Sequence, residues 1–351
     1  TLLPNFLSRG GLVAATNVLS ELQRLEKIDD MFGPEELEKS RSILEGISSS
    51  EAIQELIQAL YTGTIRASSE QLSTFLQFLR GGALAPLLRE SETVQHKELQ
   101  TVLRKSVQGI ANKNRSALVG LLGEADPLLA SAAARLVGEM QIAEAGPGLA
   151  LLLTHAEPSV RLAAVDAAAA LKASMIAGAL ETTLDDPERE VRIAAARALA
   201  ELRYPPAAQK LAAIIKSKRV RVADITEKVA VFEAFGMTSQ GDGVGLLDSI
   251  LNKKGLLGKR ESTEMRAAAA LGLGRITTAE GDAGRGPGRA QQRQPSPAPG
   301  GLTVSETLNY QELGRKLLTS LFGTLNALRL YPVENETVQQ ALTELHGLVD
   351  G

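Results

Sequence analysis

Eight cations gather in two short stretches of this 351-residue chain: Lys216, Lys218, Arg219 and Arg221 in KSKRVRV, and Lys253, Lys254, Lys259 and Arg260 in KKGLLGKRE. Cations set this close offer one chemistry, the capture of anions, whether carboxylates of an acidic protein segment or phosphates of RNA or a smaller ligand. A third stretch, LDDPERE, carries the opposite sign in Asp185, Asp186, Glu188 and Glu190. Covalent and metal chemistry have less to work with. There is no Cys, which removes thiol catalysis, thiolate metal sites and disulfides. The three histidines, His96, His155 and His346, are well separated in QHKE, THAE and LHGL, so an all-His metal site is not expected. No Ser/His/Asp set assembles by spacing, and His155 reads as a cation closing the end of a helix. The glycine clusters GRGPG and GDGVG follow no strand and match no phosphate-loop pattern. Neither a catalytic residue, a metal site nor a cofactor is expected.

The elements that hold these residues repeat. Arg161, Arg192 and Arg266 each open an Ala-rich run, in PSVRLAAVDAAAAL, EREVRIAAARALAEL and TEMRAAAALGLGRI. EKVAVFEAFG puts Lys228 in the same place and LLASAAARLVGEM puts Ala130 there, so the anchors are spaced by 31, 31, 36 and 38 residues. Three residues past each anchor stand Ala133, Ala164, Ala195, Val231 and Ala269; eight past stand Gly138, Ala169, Ala200, Gly236 and Gly274. Small residues at fixed helical offsets mark the close approach of a neighbouring helix. A shorter helix precedes each run: Ala117–Leu122, Gly146–His155, Met175–Leu184, Pro206–Ser217 and Val244–Lys254. Asp126-Pro127, Glu157-Pro158 and Asp186-Pro187 predict a capping carboxylate with Pro at the first helical position. The unit is helix A, tight turn, helix B. Stacking such units brings the A-to-B turns along one edge, basic where the eight cations fall and acidic at LDDPERE. It also leaves Arg135, Glu139, Asp166, Arg197 and Glu201 exposed on the B helices.

Carried by EPSVRLAAVDAAAAL, DPEREVRIAAARALAEL and EMRAAAALGLGRI, the pattern resembles HEAT repeats of the short bacterial kind, also called PBS-lyase-like, over about Ala117 to Ile276. The resemblance implies an all-α, right-handed superhelical solenoid of antiparallel helix pairs. It also implies that the anchor cations Arg161, Arg192, Lys228 and Arg266 form a structural ladder, each paired with an acidic turn residue of an adjacent repeat. Of the family's enzymes, the deoxyhypusine hydroxylases need His-Glu dipeptides and the alkylpurine DNA glycosylases need Trp-containing clefts; this sequence has neither. The expected function is therefore a non-catalytic scaffold or adaptor, holding a protein partner on the concave B-helix face (Arg135 and Arg197 included) or on the charged edge. A phycobilin-lyase-like enzyme and an RNA or anionic-ligand binder through 216–221 and 253–260 are the alternatives.

Composition fits this organisation. With 44% apolar but only 3% aromatic residues and no Trp, the interior must be built of Ala, Leu, Val and Ile in many thin layers. Residues 1–116 read as N-terminal helical capping repeats and 117–278 as HEAT repeats. Residues 279–301 read as a disordered Gly/Pro/Arg linker, its Arg285, Arg289 and Arg293 solvated, and 302–351 as a C-terminal helical hairpin with a Leu stripe. The hairpin has three fates open to it: docking on the solenoid, self-association, or opening a further domain. A net charge of −3 gives no global pull toward nucleic acid or anionic membrane. No apolar run reaches the ~18–20 residues of a membrane span, and no signal peptide is evident at the start, so a cytoplasmic protein is expected.

Overall fold

The computed structural model describes residues 2–25, 34–252 and 260–283. Every helix and turn among them belongs to an all-α fold of stacked helix pairs, with no strand among the described residues. The chain divides into two compact units, Thr1–Leu171 and Lys172–Gly351.

The first unit contains α1 (Leu2–Leu25, broken at Gly11), α2 (Pro34–Gly46), α3 (Ser50–Tyr61), α4 (Ser69–Leu76), α5 (Leu84–Thr93), α6 (Lys97–Lys113), α7 (Arg115–Gly120), α8 (Pro127–Glu139), α9 (Gly146–Leu152) and α10 (Pro158–Ala170). Local chemistry sets the helix starts. Ser68 and Gln71 form a reciprocal capping box on α4, and His96 Nδ1 accepts from the Leu99 N–H at the start of α6. Asp126 caps α8 by accepting from the Leu128 N–H at 3.1 Å, with Pro127 at the first turn as expected. Glu157 holds the cap position of α10, but its carboxylate makes no cap hydrogen bond. His155 Nδ1 accepts instead from the N–H of Glu157 itself at 3.0 Å, which fixes the turn ahead of the helix. The contact His155 makes is thus with the turn that follows it, through Nδ1 as acceptor.

Helix α8 is buried from Leu129 to Ala134 and again from Leu136 to Gly138, leaving only a narrow outer line with Arg135 and Glu139. Its neighbour is very close: a Cβ on Gly138 would stand 3.0 Å from the Cα of Ala167. The chain leaves α8 through Gln141, a non-glycine residue in the left-handed region at φ 55°. Its backbone cost is offset by its side chain, whose Nε2 donates to Gly138 O at 2.9 Å and to Ala170 O at 3.0 Å, closing two helix ends together. Ile142 N then donates back to Val137 O, and Ile142 is buried.

The second unit contains α11 (Ala177–Thr183), α12 (Arg189–Glu201), α13 (Ala207–Lys216), α14 (Lys218–Val222), α15 (Ile225–Thr238), α16 (Val244–Asn252) and α17 (Thr263–Ala283). Pro187 stands ahead of α12 and not at its first position; Asp186 instead accepts from the Glu188 N–H at 2.8 Å. α14 is a correction to the sequence reading, which treated KSKRVRV as a turn. Ser217 caps this short helix through Val220 N, and the insertion explains why the spacing of the repeat grows to 36 residues. Between α15 and α17 the approach is at backbone level: a Cβ on Gly236 would fall 2.1 Å from Gly272 O, and one on Gly272 2.6 Å from Phe232 O. Lys172, Arg203 and Gln240 share the left-handed φ of Gln141 at the ends of their runs.

Across both units the small positions predicted three residues past the anchors, Ala133, Ala164, Ala195, Val231 and Ala269, are at most 2% exposed. Helix α17 ends at Ala283, inside the segment read as linker from Ala279. The rest of that linker and the hairpin read over 302–351 lie outside the described residues.

Candidate interaction surfaces

The anchor cations form a ladder in the second unit, with different acceptors from those expected. Arg192 grips Glu227 with a two-pronged ion pair, Nε to Oε1 at 2.6 Å and Nη2 to Oε2 at 2.9 Å. Its Nη1 donates to Asp186 O and Pro187 O, each at 2.9 Å. Its hydrogen bonds to Glu227, ahead of the Coulomb attraction between them, raise the Arg192 pKa above its ordinary value, against partial burial. Lys228 repeats the arrangement with Glu264. Both carboxylates lie in the first turn of the next B helix, not in a turn between helices. The N-terminal end of a helix dipole favours a carboxylate there, and the cation of the preceding repeat then completes its charge balance. Arg266 Nε donates to Leu251 O at 3.0 Å, and in the first unit Arg161 Nη1 donates to His155 O and Ala156 O at 2.8 and 2.9 Å. Arg161, Glu227 and Lys228 are buried; these residues belong to the interior.

On the B helices the side chains left at the surface fall in register. In the first unit Arg135, Glu139 and Asp166 are exposed. Arg135 Nη2 meets Glu92 Oε2 of α5 at 2.7 Å, and Arg104 meets the other oxygen at 3.4 Å. Partial burial raises the Asp166 pKa above 3.8, opposed more weakly by the charge of Arg135. In the second unit Arg197 and Glu201 are exposed, and Arg197 has no partner among the described residues. Arg275 Nε pairs with Glu233 Oε1 at 2.9 Å.

The basic edge is only partly free. Arg219 is drawn onto Asp185 at 3.1 Å, which also receives Lys210 at 2.8 Å. The Lys210 hydrogen bond is the leading reason the Asp185 pKa lies below its ordinary 3.8. The acidic and basic stretches read as two ends of one edge therefore partly neutralise each other. Arg221 reaches Glu261 at 3.0 Å. Lys216, Lys218 and Arg260 are exposed, without partners among the described residues. Lys253, Lys254 and Lys259 lie outside the described residues.

A concavity of about 470 Å³ opens between α3, α4 and α6, floored by Ile65, Leu72 and Val102 and rimmed by Tyr61, Arg66 and His96. Its sequence signal is Tyr61, 53% exposed in a chain with four Tyr and no Trp.

Residues 146–227, from α9 into the first turn of α15, match the family model of HEAT repeats. Among solved structures the chain is similar to Kap121p, at 13% identity and a TM-score of 0.41, over 78% of this chain and 30% of that one. Kap121p bound to Pho4p is matched at 12% identity and a TM-score of 0.45, over 93% and 36%. The complex of CpcE and CpcF of phycocyanin lyase from Nostoc sp. is matched at 16% identity and a TM-score of 0.31, over 71% and 95%. The chain thus spans about a third of the length of Kap121p. No curated protein matches it.

Proposed function

We propose that this HEAT-repeat chain is a non-catalytic adaptor of the bacterial cytoplasm that holds a protein partner on the outward face of its B helices, aided by an acidic segment of that partner against the basic edge. The observation that carries the reading is the register of exposed charges. In the first unit Arg135 and Asp166 stand five residues past their anchors and Glu139 nine past; in the second unit Arg197 and Glu201 stand five and nine past theirs, on helices otherwise lined with buried Ala and Leu. Within each unit, charge placed on helices otherwise built for burial gives a partner a surface with area and sign but no need of a pocket. No described helix is long and apolar enough to cross a membrane.

The test compares the immobilised chain with a variant carrying Arg135→Glu, Asp166→Lys, Arg197→Glu and Glu201→Lys, both confirmed folded by circular dichroism. Proteins retained from a lysate by the first and lost by the second support the reading. An identical retained set on both overturns it.

A further inference from the structure

We propose that the inserted helix α14 is a docking surface for an acidic protein segment that also carries an apolar side chain. This rests on the adaptor reading and names one chemical class of partner. α14 occupies the turn between α13 and α15 and is the insertion that lengthens its repeat from 31 to 36 residues. One valine of it serves the fold: Val220 is 2% exposed. The other does not. Val222, at the far end, is 85% exposed, the most exposed large hydrophobic residue among those described. A β-branched side chain held in water contributes nothing to the stability of its own chain, and an apolar group in a charged setting is the composition of an interface centre with its rim.

That rim is cationic. Lys216 and Lys218 flank the start of α14, exposed and unpartnered among the described residues. Arg221 Nη1 donates to Lys216 O at 3.2 Å and its Nη2 to Glu261 Oε1 at 3.0 Å, which brings Arg260, the neighbour of Glu261, to the same place. Lys216, Lys218, Arg221 and Arg260 outnumber the nearby carboxylates, of which Glu261 is held by Arg221 and Asp224 by Arg189, on a chain whose net charge is −3. Arg219 is not counted, being held by Asp185 and Leu184 O. A segment with carboxylates on both sides of a Leu or Phe satisfies the cations and covers Val222 together. A phosphate polymer satisfies only the cations. Exposed ion pairs are individually weak and screened by salt, so this docking is fast, reversible and salt-sensitive.

The experiment uses the full chain and three probes in fluorescence anisotropy: a labelled peptide Asp-Glu-Leu-Phe-Glu-Asp, its Asn/Gln counterpart, and a labelled uridine hexanucleotide. The acidic peptide is expected to bind, the amide peptide not to. Lys216→Glu/Lys218→Glu/Arg260→Glu is expected to weaken the acidic peptide by about tenfold or more, and Val222→Ser by about threefold. Arg221 is kept so that its tie to Glu261 stays intact, and equal unfolding midpoints show that the variants fold. Failure of the acidic peptide to bind, equal binding by the charge-reversed variant, or a hexanucleotide that displaces the peptide and is indifferent to Val222→Ser overturns the proposal. The B-helix variant described above separates the two readings. It should keep the peptide; if it alone loses the peptide, the edge is not the site while the B-helix face stands.

Discussion

Replacing Arg192 by Met tests the reasoning behind the ladder most directly. Glu227 is 4% exposed, and its carboxylate receives both prongs of Arg192 at 2.6 and 2.9 Å. Removing the guanidinium leaves that carboxylate in the interior with its helix N-terminus as compensation, the latter worth about 0.3–1 kcal/mol. An uncompensated buried charge of this kind costs about 3–5 kcal/mol. Because the Arg192 side chain retains 15% exposure, water can reach the gap, and the low end, about 3 kcal/mol, is expected. The two bonds from Nη1 to Asp186 O and Pro187 O add little, since those carbonyls lie in a turn that water can solvate. The double variant Arg192→Met/Glu227→Leu removes both charges and should recover to within about 1 kcal/mol of the parent. Lys39→Ala, which breaks the Lys39–Glu35 pair between side chains 69% and 79% exposed, is the surface control and should cost under about 1 kcal/mol. Urea unfolding followed by circular dichroism gives the free energies, and amide exchange in α12 and α15 shows whether the loss is local. A cost for Arg192→Met no larger than the surface control, or a double variant as unstable as the two single losses added, would refute the argument.

Three further predictions are checked by thermal or urea unfolding. Gly236→Ala drives a methyl group to 2.1 Å from Gly272 O and should cost about 3 kcal/mol or more, whereas Gly109→Ala in the interior of α6, where a Cβ meets nothing within 4 Å, should add about 0.5–1 kcal/mol. Ala195→Leu overfills a position with no exposure and should cost about 1–3 kcal/mol; an unchanged midpoint would show that the helices do not meet there. Asp166 and Asp185 should respond to acid in opposite senses. Partial desolvation raises the Asp166 pKa although the side chain reaches the surface, so its charge costs the fold a little at neutral pH and the penalty fades as pH falls through the raised value. Asp166→Asn should therefore stabilise at pH 7 by a margin that closes in acid. The lowered pKa of Asp185 contributes stability above its ordinary 3.8 that is lost as pH falls through the depressed value. Asp185→Asn should therefore destabilise at neutral pH, modestly because the group is mostly exposed, and less so in acid or high salt.

What the sequence made legible followed from covalent size. Ala133, Ala164 and Ala195 recur because a helix that must be approached on several sides has no room for more, and room is written in the residue type. Partner choice is not written that way. Glu227 and Glu264 were as acidic as the turn residues around them, and only the helix start, which aims them back at the preceding repeat, selects them over Asp224 or Glu261. α14 is not legible because five residues are too few to show a helical period, and the density of cations in KSKRVRV matches a solvated turn equally well. The left-handed residues after the B helices were hidden for the opposite reason. Glycine is the residue expected there, and Gln141, Lys172 and Arg203 take its place, their 31-residue spacing the only trace.

The meeting of Gly236 with Gly272 limits how this row of helices could grow. Where Ala faces Ala, a duplicated copy of a repeat arrives carrying a side chain its new neighbour already accommodates. Between α15 and α17 main chain rests on main chain, and a copy inserted there would bring a methyl group to a place that admits none. Lengthening of the molecule by gene duplication, or by a designer, is thereby directed away from that joint.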